Sequence, residues 1–254
     1  MRVSVLASGS KGNSTYVETQ NHHLLIDLGT TSLCTEKRLK ELGIDPKSID
    51  SIFITHSHVD HTAGLRVFIK KYHPIIYLTK KMYQEIRDLV LQATCVYIED
   101  DFDLDEIHVE IFKTSHDTDD SVGYIFTEAD KSVVYITDTG YINLKNENKL
   151  KNKNLYIMES NHDVEMLLDG KYPFHIKQRI IGDRGHLSNA DSAYYMTRFI
   201  GENTRQIVLA HLSHENNTEQ QALSTYQEVF AKRNITFDNI AIAKQEEQTE
   251  FIEL

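Results

Sequence analysis

The stretch Thr55-His56-Ser57-His58-Val59-Asp60-His61 sets three histidines and an aspartate within six residues, directly after the apolar run Ser51-Ile52-Phe53-Ile54. An apolar run of that length with polar flanks reads as a buried strand. Alternate side chains of extended backbone share a face, so His56 and His58 can reach one cation. A helix predicted over residues 63–71, with Leu65, Phe68, Ile69 and Tyr72 at helical spacing, turns the chain and can bring Asp60 and His61 towards a neighbouring point. Imidazole nitrogen with carboxylate oxygen suits Zn²⁺ and, with more oxygen, Mn²⁺ or Fe²⁺. The loop reads as a metal-binding turn between strand and helix.

Outward from this loop, the pattern repeats at coarse grain. Before it, strands are predicted over 3–7, 15–19 and 23–28 and a short helix over 37–42; after it, a strand over 74–78 and an amphipathic helix over 80–91. The second half offers strands over 107–113, 121–127, 132–137, 155–159, 206–210 and 240–243, with helices over 189–200 and 219–232. Strands in runs with interspersed helices, twice over, predict two sheets with helices outside. No repeat or low-complexity linker interrupts the chain, and the Lys/Asn-rich segment 143–154 reads as a surface excursion. Residues 1–254 are expected to form a single domain.

Composition excludes several classes. Twenty-seven Lys and Arg face 38 Asp and Glu, a net charge of −11, so a general basic coat for nucleic acid is ruled out. Lys70-Lys71, Lys80-Lys81 and Lys145, Lys149, Lys151 and Lys153 are the local basic clusters a phosphate chain could follow. Tyr16, Tyr141 and Tyr172 are aromatics that could stack on bases. No window approaches a membrane span, and two cysteines, Cys34 and Cys95, fit reduced thiols in a cytoplasm.

His-x-His-x-Asp-His after a strand resembles the metal-binding loop of the metallo-β-lactamase superfamily. Four more segments match that family in order: Leu25-Ile26-Asp27-Leu28-Gly29, Thr114-Ser115-His116, Thr137-Asp138-Thr139 and Ala210-His211-Leu212. The resemblance implies a four-layer αββα fold and two divalent metal ions, Zn or Mn, with Fe also possible. It assigns His56, His58 and His116 to one metal and Asp60, His61 and His211 to the other, with Asp138 as bridge and Asp27 behind a ligand.

Gly185-His186-Leu187-Ser188-Asn189-Ala190 resembles a segment of the ribonuclease Z branch whose histidine faces the scissile phosphate without binding metal. Glu159-Ser160-Asn161-His162-Asp163 resembles the loop whose glutamate supports that histidine. The opening Ala7-Ser8-Gly9-Ser10-Lys11-Gly12-Asn13-Ser14 and His211-Leu212-Ser213 are similar to the YycJ/WalJ group of exonucleases. That likeness implies 5′-to-3′ digestion of DNA, an association with mismatch repair, and catalytic roles for Asp60, His186 and Glu159. An RNA or small-molecule phosphodiesterase, or a glyoxalase II-like thioester hydrolase, would use the same metals. Only 72 residues separate Asp138 from His211, too few for the extra domain of larger processing nucleases.

Overall fold

A computed structural model describes residues 1–254 and arranges them as two seven-stranded sheets sharing one apolar core, with helices on the outer faces. The first half supplies β1 (Arg2–Ala7), β2 (Ser14–Glu18), β3 (His23–Ile26), β4 (Ser51–Phe53), β5 (Ile75–Leu78) and β6 (Cys95–Tyr97). The second supplies β7 (Phe102–Leu104), β8 (Ile107–Lys113), β9 (Val122–Glu128), β10 (Lys131–Ile136), β11 (Leu155–Glu159), β12 (Gln206–Ala210) and β13 (Ile240–Ile242). The chain then returns as β14 (Ile252–Glu253) beside β1, so the strand orders are 14-1-2-3-4-5-6 and 13-12-11-10-9-8-7.

Each sheet changes character at its middle. Strands β3 to β6 and β10 to β13 are parallel to their neighbours; the remaining pairs are antiparallel. Parallel strands need both faces covered, which is why β11 is buried along its whole length. Helices α1 (Ser32–Glu41), α3 (Leu65–Tyr72) and α4 (Lys80–Val90) cover the first sheet, using Leu39, Phe68, Ile69, Met82, Ile86 and Val90. The second is covered by α8 (Asn189–Phe199) and α9 (Glu219–Lys232), through Ala193, Met196, Phe199, Ala222, Tyr226 and Phe230. Short helices α2 (Val59–Thr62), α5 (Glu147–Leu150), α6 (Val164–Asp169) and α7 (Phe174–Ile181) sit in the connections. No helix is long and apolar enough to cross a membrane.

The departures from the sequence reading have local causes. Helix α1 starts at Ser32, five residues earlier than expected, because Thr31 caps it by accepting from Cys34 N at 3.2 Å. The helix expected over 63–71 is found as α3, Leu65–Tyr72, preceded by the separate turn α2 with Ala63-Gly64 between them. A Cβ on Gly64 would lie 1.9 Å from Leu28, so only glycine permits that approach. Strands β6, β7 and β14 are three residues long or shorter and contain no buried residue, so no apolar run marks them. Segment 143–154 is more than an excursion: it contains α5, whose Leu150 is fully buried in the second core cluster.

Candidate metal centre

The sequence-derived residues gather at one edge of the sandwich, where the parallel strands end. Asp27 follows β3, His56 follows β4, His116 follows β8, Asp138 follows β10, Glu159 ends β11 and His211 follows β12. Carboxyl ends of parallel strands are where open α/β sheets assemble ligand chemistry. Asp27, Asp138 and His211 turn off their strands in left-handed conformation, φ 58°, 55° and 56°. That backbone costs non-glycine residues on the order of 1–2 kcal/mol each, and its concentration here marks a constrained site.

Both sheets hold the histidine-rich loop. Ile54 N donates to Tyr77 O at 2.9 Å, Tyr124 Oη donates to Ile54 O at 2.6 Å, and Val122 N donates to Thr55 O at 3.0 Å. Beneath it, Thr55 N and Oγ1 each donate to the Asp27 carboxylate at 2.8 Å, and Asp27 Oδ2 lies 2.7 Å from His61 Nδ1. Asp27 therefore fixes the ring of His61 and aims its Nε2 inward. Gly29 runs directly under the loop; a Cβ there would fall 1.6 Å from Asp60 O, so any side chain would push Asp60 out.

The inward atoms form overlapping groups. His56, His58 and His116 offer ligand atoms within 4.8 Å of one another, as do His56, His61 and Asp138; Asp60, His61 and His211; and Asp138, Glu159, His186 and His211. His116 Nδ1 faces Gly185 O at 3.2 Å, leaving Nε2 to face His58 Nδ1 at 3.2 Å and Asp138 Oδ1 at 3.8 Å. His61 Nε2 is 3.1 Å from Asp138 Oδ2 without the alignment of a hydrogen bond. His56 Nε2, His211 Nε2 and Asp138 Oδ2 are buried and make no hydrogen bond. Buried polar atoms left without partners are costly, and this donor set fits divalent metal ions.

Glu159 anchors the other wall. Its Oε2 accepts from Thr139 N at 2.9 Å and Leu187 N at 3.3 Å; its Oε1 lies 2.8 Å from His186 Nδ1 and 3.1 Å from His211 Nδ1. One carboxylate thus orients both rings, where the sequence pointed only to His186. Ser188 caps α8 by accepting from Asp191 N at 3.1 Å, which fixes the backbone just after His186. Burial opposes charge on Glu159, but His186 and His211 overcome it and hold the carboxyl at about 2.

Electrostatics divides the histidines. Burial pushes the His56 imidazole well below its ordinary value, with His61 adding to the push, and burial also lowers His116. The shift favours the neutral ring, the form that offers a lone pair to a metal. Burial works against charge on His211 too, yet Asp138, Asp60 and Glu159 outweigh it and lift the ring to about 10. Burial likewise opposes charge on Asp138, and His211, His61 and His56 keep its carboxyl well below the usual range.

Several groups at the site lay outside the sequence reading. Asn161 Nδ2 donates to His211 O at 2.9 Å, and Ser8 Oγ accepts from His211 N at 2.7 Å. Asp117 Oδ1 lies 3.4 Å from His116 Nε2 and 3.7 Å from His58 Nε2. No spacing signalled these, because each reaches the site from a different turn. The basic and aromatic candidates sort unevenly. Lys149, Lys151 and Lys153 pair with Asp101, Glu147 and Glu110 at 2.5, 2.6 and 3.0 Å, so that cluster is neutralised on its own surface. Tyr16 is fully buried and bonded to Glu18, which removes it as a stacking platform. Tyr172 lines the cleft that also contains His116, His186 and His211.

Comparison with known proteins agrees with this geometry. The family model described as "Beta-lactamase superfamily domain" matches residues 22–212. Exodeoxyribonuclease YycJ of Bacillus anthracis is 37% identical over 238 residues, covering 92% of this chain and 90% of that protein. Exodeoxyribonuclease WalJ of Streptococcus pneumoniae is 38% identical over 231 residues, covering 88% and 86%. The crystal structure of the metallo-β-lactamase fold protein YhfI from Bacillus subtilis superposes with a TM-score of 0.74 at 16% identity, covering 98% of each chain. The chain belongs to the β-lactamase superfamily, as a metal-dependent hydrolase with the four-layer αββα fold.

Proposed function

We propose that this protein is a DNA exonuclease that digests from the 5′ end with two divalent metal ions, Zn or Mn, and that it serves DNA mismatch repair in the cytoplasm. The observation that carries the reading is the convergence of His56 Nε2, His211 Nε2 and Asp138 Oδ2, all buried and unpartnered, beside His186, which is held by Glu159. The exodeoxyribonuclease names of the two bacterial relatives support DNA as substrate. The apolar core shared by both sheets supports a single domain over 1–254. Neither Cys34 nor Cys95 is in a disulfide, in keeping with a reducing compartment.

In this reading His56, His58 and His116 would hold one metal and Asp60, His61 and His211 the other, with Asp138 available to both. Bound metal would polarise the phosphoryl group and make water nucleophilic at neutral pH. The chain's own groups do the rest. Asp60, with its carboxylate partly exposed, orients the attacking water and accepts its proton. His186 hydrogen-bonds the phosphate or delivers a proton to the leaving oxygen, steadied in ring orientation by Glu159. Asp27, Glu159 and Asn161 keep His61 and His211 aimed without touching substrate.

The test is metal content after reconstitution with zinc or manganese, joined to digestion of end-labelled single- and double-stranded DNA. Two metal ions per chain and progressive loss of 5′-terminal nucleotides are expected. RNA, a cyclic nucleotide and a thioester complete the panel. Preference for any of these over DNA, or only trace metal after reconstitution, would overturn the proposal.

A further inference from the structure

Four cations, Lys171, Lys177, Arg179 and Arg184, stand against Asp183 alone between residues 171 and 184, in a chain whose net charge is −11. That segment contains α7, the one helix of eight or more residues with no buried residue, and exposes Phe174 and Ile181. Its return to the site is tight. His186 N donates to Ile180 O at 2.9 Å, and a Cβ on Gly185 would lie 2.1 Å from Ile180 O. The helix is thereby coupled to His186 through backbone alone.

Between α7 and the strand ends lies a cleft of about 210 Å³, with Tyr172, Ile176 and Arg179 on one wall and His116, His186 and His211 on the other. It is smaller than pockets that enclose a drug-sized ligand, which suits one sugar-phosphate unit of a single strand. Arg179 donates through Nε to Asp117, and its two Nη groups make no protein hydrogen bond. Asp117 thus holds the guanidinium at the cleft mouth with its fork free, the arrangement that takes a phosphate through two donors. Arg184 is committed elsewhere, donating to His116 O and Thr118 O at 2.9 and 2.8 Å.

We propose that Arg179 and Tyr172 form a subsite for single-stranded DNA, in which Arg179 grips the phosphate next to the scissile one and Tyr172 stacks on its base. The inference rests on the nuclease reading above and adds a strand preference and two binding residues to it. Lys177 is not part of the subsite, since its ammonium is bonded to Leu168 O.

The experiment compares the wild type with Arg179→Ala, Arg179→Lys and Tyr172→Ala on a single-stranded oligonucleotide and on bis(4-nitrophenyl) phosphate, which carries no second phosphate. Arg179→Ala should lose about tenfold or more in kcat/KM on the oligonucleotide, mostly through KM, with a several-fold smaller loss on the aryl diester. The salt slope of oligonucleotide binding should fall by about 0.7, the value for one phosphate contact on a single strand. Arg179→Lys should keep the salt slope and recover part of KM, and Tyr172→Ala should weaken binding about tenfold without changing that slope. Equal losses on both substrates, or an unchanged slope in Arg179→Ala, would overturn the subsite. The lysine variant decides the same point if the alanine variant does not fold: full wild-type KM would show that the fork is not used. A wild type that hydrolyses the aryl diester but no DNA would instead overturn the nuclease reading, and this inference with it.

Discussion

Opposite the strand-end cluster, at the other edge of the sandwich, His22, Asp105 and Glu106 form a second grouping of imidazole and carboxylate within metal-binding reach, with Asp50 beside His22. The residue types match those of the first cluster, but the bonding differs. His22 Nδ1 faces Asp50 at 3.3 Å and Nε2 faces Asp105 at 3.0 Å, while Glu106 accepts from Thr19 Oγ1, Asn21 N and Asn21 Nδ2 at 2.8 to 3.0 Å. Both His22 nitrogens and both Glu106 oxygens there have protein partners, and Asp105 is largely exposed to water. At the strand ends, by contrast, His56, His211 and Asp138 keep buried atoms without partners. Backbone sharpens the contrast. Asp105 is left-handed because it sits in the tight β7–β8 hairpin, whereas Asp27, Asp138 and His211 are left-handed at the ends of strands that no hairpin closes. What separates a metal centre from a polar surface cluster is thus unmet bonding capacity under burial.

The hardest blow to that contrast should come from Asp138→Ala. Asp138 is 2% exposed and stands between His61, His116 and His211. Removing it leaves three imidazoles facing one another with no anion between them, so metal content should drop below two per chain. Phosphodiester hydrolysis should fall more than about 1,000-fold, since the loss is several kcal/mol of charge stabilisation. Two tightly held metals in the variant would show that the unpartnered carboxylate oxygen is not a metal-binding group.

Next in size is His186→Ala. His186 is within 4.8 Å of ligand atoms of Asp138, Glu159 and His211 but not grouped with His56, His58, His61 or Asp60, and its Nδ1 is engaged by Glu159. Metal content should stay at the wild-type value while DNA cleavage slows at least ~100-fold, the lower end for one positioned acid or base. A diester with a good leaving group needs less protonation, so a smaller loss there would identify His186 as the acid. Equal losses would make it a phosphate contact, and a lost metal ion would place it among the ligands instead.

The two clusters were not equally legible in the sequence. Local spacing exposed His56, His58, Asp60 and His61, because one turn carries all four. His116, Asp138 and His211 are separated by tens of residues and became readable only as members of an ordered family pattern. The support around them was invisible: Asn161, Ser8 and Asp117 enter from unrelated turns, and Glu159 proved to hold two rings, where its place in the sequence suggested one. The fold followed the same rule. Long buried strands such as β11 announced themselves, while β6, β7 and α7 did not, the last because it buries nothing and so shows no apolar stripe facing a core. The lysines at 149, 151 and 153 looked like a phosphate track because the sequence hides Asp101, Glu147 and Glu110 beside them.

The smallest effect belongs to the second cluster, and it carries a sign. Burial works against charge on His22, but hydrogen bonds to Asp105 and Asp50 outweigh it and raise the ring above its ordinary 6.5. A raised histidine stabilises the fold fully below the unfolded value and loses that contribution as pH rises through the folded one. His22→Asn should therefore lower stability at pH 5.5 and have little effect at pH 9, where the ring is neutral in both states. The Asp105 partner is largely exposed and screened by solvent, so the loss at pH 5.5 should be no more than about 0.5–1 kcal/mol, the range of exposed ion pairs. Urea unfolding at the two pH values measures it. Metal content and hydrolysis should be those of the wild type at both, because both His22 nitrogens are already engaged by carboxylates. A His22→Asn protein that lost metal or activity would mean that satisfied polar clusters bind metal here too, and the distinction between the two edges would collapse.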